Sequence, residues 1–271
     1  MENFSKALKR GFSPVFSRND ISDELQRAYE LLQKSHDEID KLKKVKVEFL
    51  AFITHVLRTP LTNLSAFQLL GKSDLTEDQK EILEIANHGY EEMEYVISRA
   101  IEYFTIISEP PVIKPERIEL QTLIGDSIFE HLEKFKEKKI FYFINFDKSI
   151  TVETDIELLF KIINIVTDNS IKFNKTHGKV YYSFTEIGDR INIKIEDTGC
   201  GLRQDSLEKV FFPFSVQNIK FHSKGTGLSL PIAKNLTYSL GGELMAQSKG
   251  LGFGTSFIID IPKRISEKFA D

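Results

Sequence analysis

The chain carries a single cysteine, Cys200. No intrachain disulfide can form, no pair of thiols is available for a zinc site, and a reducing compartment fits best. Glycine and proline are sparse, 15 and 8 among 271 residues, which excludes collagen-like and low-complexity chains. No window approaches the roughly 18 apolar residues needed to cross a bilayer, and the N-terminus lacks the apolar core of a signal peptide. A cytoplasmic location is expected. An excess of positive charge is also missing: Lys+Arg 36 against Asp+Glu 40 leaves a net charge of −4. Counterion release therefore offers no global hold on nucleic acid, and no nucleic-acid partner is expected. What remains is the composition of a folded protein, 41% hydrophobic and 28% charged. At about 150 residues per domain the length suggests roughly two domains.

Residues 1–20 repeat Phe4, Leu8, Phe12 and Phe16 among Lys6, Lys9, Arg10 and Arg18. They read either as a short basic amphipathic turn that docks a membrane surface or partner, or as a frayed terminus interrupted by Pro14. From Ile21 a heptad seam runs through Leu25, Ala28, Leu32, Ser35, Ile39 and Leu42. The steps from Leu42 to Val45 to Phe49 break the alternation by placing two threes in a row, Ile39 to Leu42 to Val45, which locally overwinds a coiled coil before the seam resumes at Phe52 and Val56. Such a slip can store two registers; a plain amphipathic helix that drifts is the alternative. Thr76-Glu77-Asp78-Gln79 is a capping-box pattern announcing a second helix. Its stripe is Ile82, Ala86, Gly89, Met93, Ile97, Ala100, Phe104 and Ile107, and Pro110-Pro111 stop it. Two seams joined by the polar turn 71–74 predict a helical hairpin that dimerises into a four-helix bundle, because one hairpin cannot bury its stripe alone.

Beyond a linker at 109–115 the texture changes. Helical patterns occupy about 120–135 and 156–173, and strands are predicted near 141–144, 180–185, 191–195, 242–248 and 254–261. This is an α+β sandwich with helices on one face of a mixed sheet.

Chemistry-bearing residues fall in two groups. In the first, Phe52 and Val56 lie on the seam, so His55 lies on the flank of the bundle, and Pro60 bends the helix one turn further on. An accessible imidazole there can present a ring nitrogen to an electrophile. In the second, Asn169 and Lys172 share a helix face, an amide oxygen suited to Mg²⁺ and an ammonium suited to phosphate. Asp197 ends a strand and is followed by Gly199 and Gly201, which let the chain turn sharply. That carboxylate can accept from the exocyclic amine of adenine. Gly225-Thr226-Gly227-Leu228 opens a helix whose N-terminal amides favour a triphosphate.

In their order and spacing these pieces resemble the sensor histidine kinases of two-component signalling, over roughly residues 45–263. Their nucleotide fold is the Bergerat fold shared with gyrase, Hsp90 and MutL. His55 with Arg58-Thr59-Pro60-Leu61 is similar to the phospho-acceptor box, and Asp168-Asn169-Ser170-Ile171-Lys172-Phe173 to the N box. Asp197-x-Gly199-x-Gly201 is similar to the first glycine box, and Phe211-Phe212-Pro213-Phe214 to the F box of the ATP lid. Gly225-Thr226-Gly227-Leu228 resembles the second glycine box, and residues 252–257 the strand pair that closes the domain.

The resemblance implies a segment at 1–20, a signalling coiled coil at 21–48, a dimerisation and phosphotransfer domain at 49–109, an ATP-binding domain at 116–263 and a tail at 264–271. It also implies that Asn169 holds Mg²⁺, Lys172 meets phosphate, Asp197 reads adenine, and the lid with Phe214 and the 225–228 backbone encloses ATP. His55 would attack the γ-phosphorus, and the phosphoryl group would pass to an aspartate of a response regulator. No sensory domain is recognisable, so input is expected from residues 1–50, a separate sensor or membrane surface, or a region outside this sequence. Three positions depart from the family pattern. Val56 stands where an acid usually follows the histidine, Ile165 where a second polar residue approaches the metal, and Ser229 where a third glycine is usual. Thr59 is kept, a position associated with orienting water for regulator dephosphorylation. A degenerate kinase acting mainly as a phosphatase or nucleotide-responsive binding module is therefore the alternative expectation.

Overall fold

A computed structural model of the chain describes residues 26, 29, 32–36, 39, 76–146, 148–215 and 227–265. The chain divides into two compact units, Met1–Phe49 and Leu50–Asp271. In the first, residues 32–36 are helical, and the seam residue Leu32 is 70% exposed. Residues 1–20, the register slip at Val45 and the turn at 71–74 lie outside the described residues.

In the second unit, helix α1 (Glu77–Ser108) begins at the capping box: the Gln79 N–H donates to Thr76 Oγ1, and the Thr76 N–H donates to Gln79 Oε1. It ends two residues before Pro110, since proline disfavours helical backbone in the residue before it. Along its N-terminal two thirds Ile82, Ile85 and Met93 are exposed. Its last turns are held differently. Tyr103 and Phe104 are buried, and Glu102 forms a 2.5 Å ion pair with Lys161 of the α+β portion that follows.

The rest is α+β. Strand β1 (Pro115–Glu119) is followed by α2 (Leu120–Glu130), α3 (Leu132–Glu137), β2 (Phe141–Asn145), β3 (Thr151–Asp155) and α4 (Ile156–Lys172). Then come β4 (Lys179–Ile187), β5 (Arg190–Asp197), α5 (Ser229–Ser239), β6 (Glu243–Gln247) and β7 (Ser256–Pro262). The main sheet has the order β2-β4-β5-β7-β6, parallel between β2 and β4 and antiparallel elsewhere. Alternate residues of β5 and β7, Ile191, Ile193, Ile195, Phe257, Ile259 and Ile261, are buried. Leu159, Ile162, Ile163 and Val166 of α4 are fully buried with them, each contributing on the order of 1.5–3 kcal/mol of transfer free energy. The opposite face of β5 is polar, with Arg190 and Asn192 both bonded to Asp260 of β7.

Two features differ from the pattern expected of the sequence. A second, two-stranded sheet pairs β1 with β3, and Arg264 bridges to Glu153 beside it. Its segments Pro-Glu-Arg-Ile-Glu and Thr-Val-Glu-Thr-Asp carry no apolar alternation, so pairing partners distant in sequence, from Glu119 with Thr151 to Pro115 with Asp155, decide it. The helical pattern of 120–135 also breaks in two at His131, whose backbone leaves the helical region with φ −101° and ψ 6°.

Candidate nucleotide site

Helix α4 is fastened at both ends by groups distant in sequence. Asp155 caps its start, accepting from the Leu158 N–H at 3.0 Å through one oxygen and from the Lys114 N–H at 2.9 Å through the other. At its end Lys138 Nζ donates to the carbonyls of Ile171 and Lys172 at 2.9 and 2.7 Å, a cation where the helix dipole is negative. This fixes the turn that carries Asn169 and Lys172. Both are half-buried, and the Asn169 side-chain amide has no hydrogen-bond partner among the described residues. Lys172 Nζ sits 5.8 Å from the ring centre of Phe173.

The loop after β5 is tied to that same turn. The Cys200 N–H donates to the Phe173 carbonyl at 3.0 Å, and a methyl group added at Gly199 would lie 2.4 Å from that oxygen. A side chain is therefore excluded at Gly199 by backbone contact. Gly254, at φ +75°, is excluded in the same way, because its Cβ would come within 1.9 Å of the Asp197 carbonyl. Gly201 faces the Gly250 carbonyl just as closely, at φ +68°. Three backbone segments thus converge around Asp197.

Asp197 is 5% exposed. Its Oδ1 accepts from the Gly199 N–H at 2.7 Å and the Thr255 N–H at 3.2 Å, while Oδ2 makes no hydrogen bond to a described residue. Burial pushes its pKa up to about 6, with the two backbone amides offsetting part of the rise and neighbouring Glu196 adding to it. A lone acceptor oxygen on a glycine-walled ledge can receive a planar donor such as an aromatic amine.

Further along the chain, Phe214 and Gly227 both have positive φ, 60° and 67°. The Phe214 N–H donates to the Gly227 carbonyl at 3.1 Å. Leu228, the N-cap residue of α5, is fully buried. Gly225 and Thr226, and also His55 and Thr59, lie outside the described residues. The structure therefore brings together Asn169, Lys172, Asp197, Gly199 and Gly201, with Gly227 and Leu228 leading into α5.

Asn164 does not join this group. Its Nδ2 donates to Glu130 of α2 at 2.5 Å, and Ile165 is buried. Thr255, within the 252–257 motif but given no role there, supplies an amide to Asp197, and Ser248, which sequence patterns did not single out, bonds Leu202, Gly250 and Gly254 through its Oγ. The close approach of Gly254 had a sequence signal in the repeated glycines of 250–254; Lys138 and Ser248 had none.

Residues 154–265 match the family described as histidine kinase-, DNA gyrase B- and HSP90-like ATPases. Residues 45–109, which contain His55, match the His Kinase A phospho-acceptor domain. The chain belongs to the sensor histidine kinases of two-component systems. Among relatives of this chain, the sensor protein EvgS of Escherichia coli (strain K12) is 28% identical over 247 residues, 86% of this chain and 20% of that protein. Among solved structures, full-length ShkA in complex with AMPPNP aligns with TM-score 0.69 at 22% identity, covering 81% of this chain and 46% of that one. Histidine kinase ThkA in complex with the response regulator TrrA aligns with TM-score 0.61 at 21% identity, over 89% and 67%. The chain thus spans about a fifth of EvgS and less than half of ShkA. Among the described residues no helix is long and apolar enough to cross a membrane.

The raised pKa of Asp197 has a consequence for stability with a definite sign. Below about pH 4 the carboxyl is protonated in both states. Between pH 4 and 6 the unfolded chain releases its proton first, so the native state binds more protons and stability falls as pH rises. Two pKa units correspond to about 3 kcal/mol. Replacing Asp197 by Asn removes that cost. In urea titrations the Asn variant should exceed wild type by about 2–3 kcal/mol at pH 7, with the gap closing by pH 4. A gap independent of pH would mean that the carboxylate is not desolvated.

Proposed function

We propose that this chain is an ATP-dependent protein histidine kinase that phosphorylates its own His55 and passes the phosphoryl group to an aspartate of a response regulator. One observation carries the proposal: a phospho-acceptor segment at 45–109 and an ATPase-type domain at 154–265 occur in one chain. In the latter, an acceptor carboxylate and glycine-walled backbone stand beside an unbonded Asn169 amide.

Asp197 Oδ2 accepts from the adenine amine, and the backbone from Gly225 to Leu228 meets the phosphates. Lys172 adds a positive charge near them. Asn169 presents a hard oxygen suited to Mg²⁺, which keeps waters and phosphate oxygens as its other ligands and so needs no dedicated protein cage. Among the described residues no cluster of three or more His, Cys, Asp or Glu side chains is arranged to hold a metal. With Ile165 buried and Asn164 committed to Glu130, Asn169 is the amide ligand that α4 offers. Bound Mg²⁺ would neutralise charge developing on the phosphates.

His55 Nε2 attacks the γ-phosphorus in line. A nitrogen–phosphorus bond forms as the bond to the bridging oxygen breaks, and ADP leaves with that electron pair. The imidazole gives up its remaining ring proton to solvent, because Val56 supplies no acceptor. Transfer onward moves the phosphoryl group from nitrogen to a regulator carboxylate. The ThkA–TrrA complex supports a regulator as partner. The phospho-acceptor match and the exposed Ile82, Ile85 and Met93 support a homodimer. Residues 21–48 would form the signalling helix, 49–109 the dimerisation and phosphotransfer domain and 116–263 the catalytic domain, with 264–271 a tail.

The direct test is incubation with γ-labelled ATP and Mg²⁺. Label that is lost in acid and kept in base identifies phosphohistidine, and no label at all refutes the proposal. The Val56→Glu variant should label faster than wild type by about tenfold or more, since a positioned general base contributes roughly 10²–10⁴ in rate. An unchanged rate would show that another group already takes the proton.

A further inference from the structure

Strand β2 forms one edge of the main sheet, paired with β4 on one side and with no strand among the described residues on the other. Exposed edges are ordinarily blunted by charge, proline, a bulge or a covering element. β2 has no charge and no proline. Its residues are Phe-Tyr-Phe-Ile-Asn, all exposed, Phe141 to 56% and Ile144 to 48%. By register Phe143 lies beside Tyr181, and the two rings stack with centroids 5.1 Å apart. The opposite edge, β6, carries Glu243 and Gln247 at its ends.

At the start of β2 a groove of about 460 Å³ opens, floored by Phe135, Ile140 and Tyr142 and flanked by Lys136, Lys139 and His177. Neither lysine forms an ion pair among the described residues. Glu133 and Glu137 of α3 do not line the groove. An apolar floor thus carries uncompensated positive charge at one end of an unpaired strand.

We infer that the β2 edge docks an extended, acidic segment of a partner protein, which adds as a sixth strand and lays its carboxylates over Lys136 and Lys139. Strand addition satisfies the free N–H and C=O groups of the edge, and the side pockets and charges then select the sequence. A lipid surface fits less well. It supplies apolar contact and negative headgroups, but it leaves the edge amides without partners in hydrocarbon. Pairing of two β2 edges from two copies would satisfy the amides and leave both lysines without a counter-charge.

The test uses the full chain and fluorescein-labelled decapeptides that alternate valine and threonine and carry three glutamates or three lysines at one terminus. Anisotropy should show the glutamate peptides binding at least tenfold more tightly, with hydrogen exchange at 141–145 slowed in the complex. The double variant Lys136→Glu, Lys139→Glu should reverse the preference, and Phe143→Lys, a charge on the strand itself, should abolish binding. Retained ATP affinity in both variants shows that they are folded. Failure of every glutamate peptide to bind, or a preference untouched by the charge reversal, would overturn the inference. So would protection of 141–145 in the chain alone at high concentration, which would mean self-pairing. Sedimentation with phosphatidylserine vesicles that these same variants abolish, in the absence of peptide binding, would assign the patch to lipid instead.

Discussion

A His55→Gln chain should take up no acid-labile phosphate from γ-labelled ATP, while its affinity for the nucleotide stays within about twofold of wild type. Glutamine is polar and has good helix propensity, so it suits the helical flank position that the sequence pattern predicts for residue 55. Its amide nitrogen has its lone pair delocalised and cannot attack phosphorus. A covalent step that loses its nucleophile loses the whole of its rate, in contrast to the partial loss that follows removal of a general base or a charge. Label that persists at the wild-type level in the variant would place the acceptor on another residue.

The second large effect is expected at Asp197. Changing it to Asn should weaken ATP binding by about 10²-fold, measured by calorimetry at pH 7.5. The Asn oxygen can keep the Gly199 and Thr255 amides, whose distances to Oδ1 are 2.7 and 3.2 Å. The –NH₂ group then stands where Oδ2 stood and turns a donor toward the donor amine of adenine. Losing a hydrogen bond to a charged group costs about 1.5–3 kcal/mol, and leaving two donors opposed adds to it. The same substitution relieves the buried charge, so the variant binds worse and folds better. A global defect cannot produce that opposition. Weak binding together with low stability would mean that Asp197 is a structural residue and not a reader of the base. A wild-type affinity would move the adenine site elsewhere.

Parts of this outcome were legible locally. The α1 capping box needed only Thr76 and Gln79, three residues apart, and the strands of the main sheet followed from alternation such as Ile191, Ile193, Ile195. The glycines at 199, 201 and 227 announced tight backbone turns, and two of them have positive φ. Asn164 was less legible. Helical geometry placed it off the Asn169 face, but its bond to Glu130, 34 residues away, had no local sign. The β1–β3 sheet was invisible for the same reason, since Arg117 and Glu153 carry no strand signal of their own and meet only in register.

By itself the amino-acid order determined the capped helix α1, the alternating strands of the main sheet, and which chemical groups the chain owns. Those properties depend on neighbours within about one turn or one strand. Only the tertiary structure decided what those groups experience. Asp197 is an ordinary carboxyl until burial beneath the loops at 199–201 and 250–255 desolvates it and leaves one oxygen free. Lys138 is an ordinary surface lysine until folding sets it against the carbonyls that end α4. Desolvation and Coulomb energy depend on distance in space, and contacts between residues tens of positions apart leave no period in the sequence.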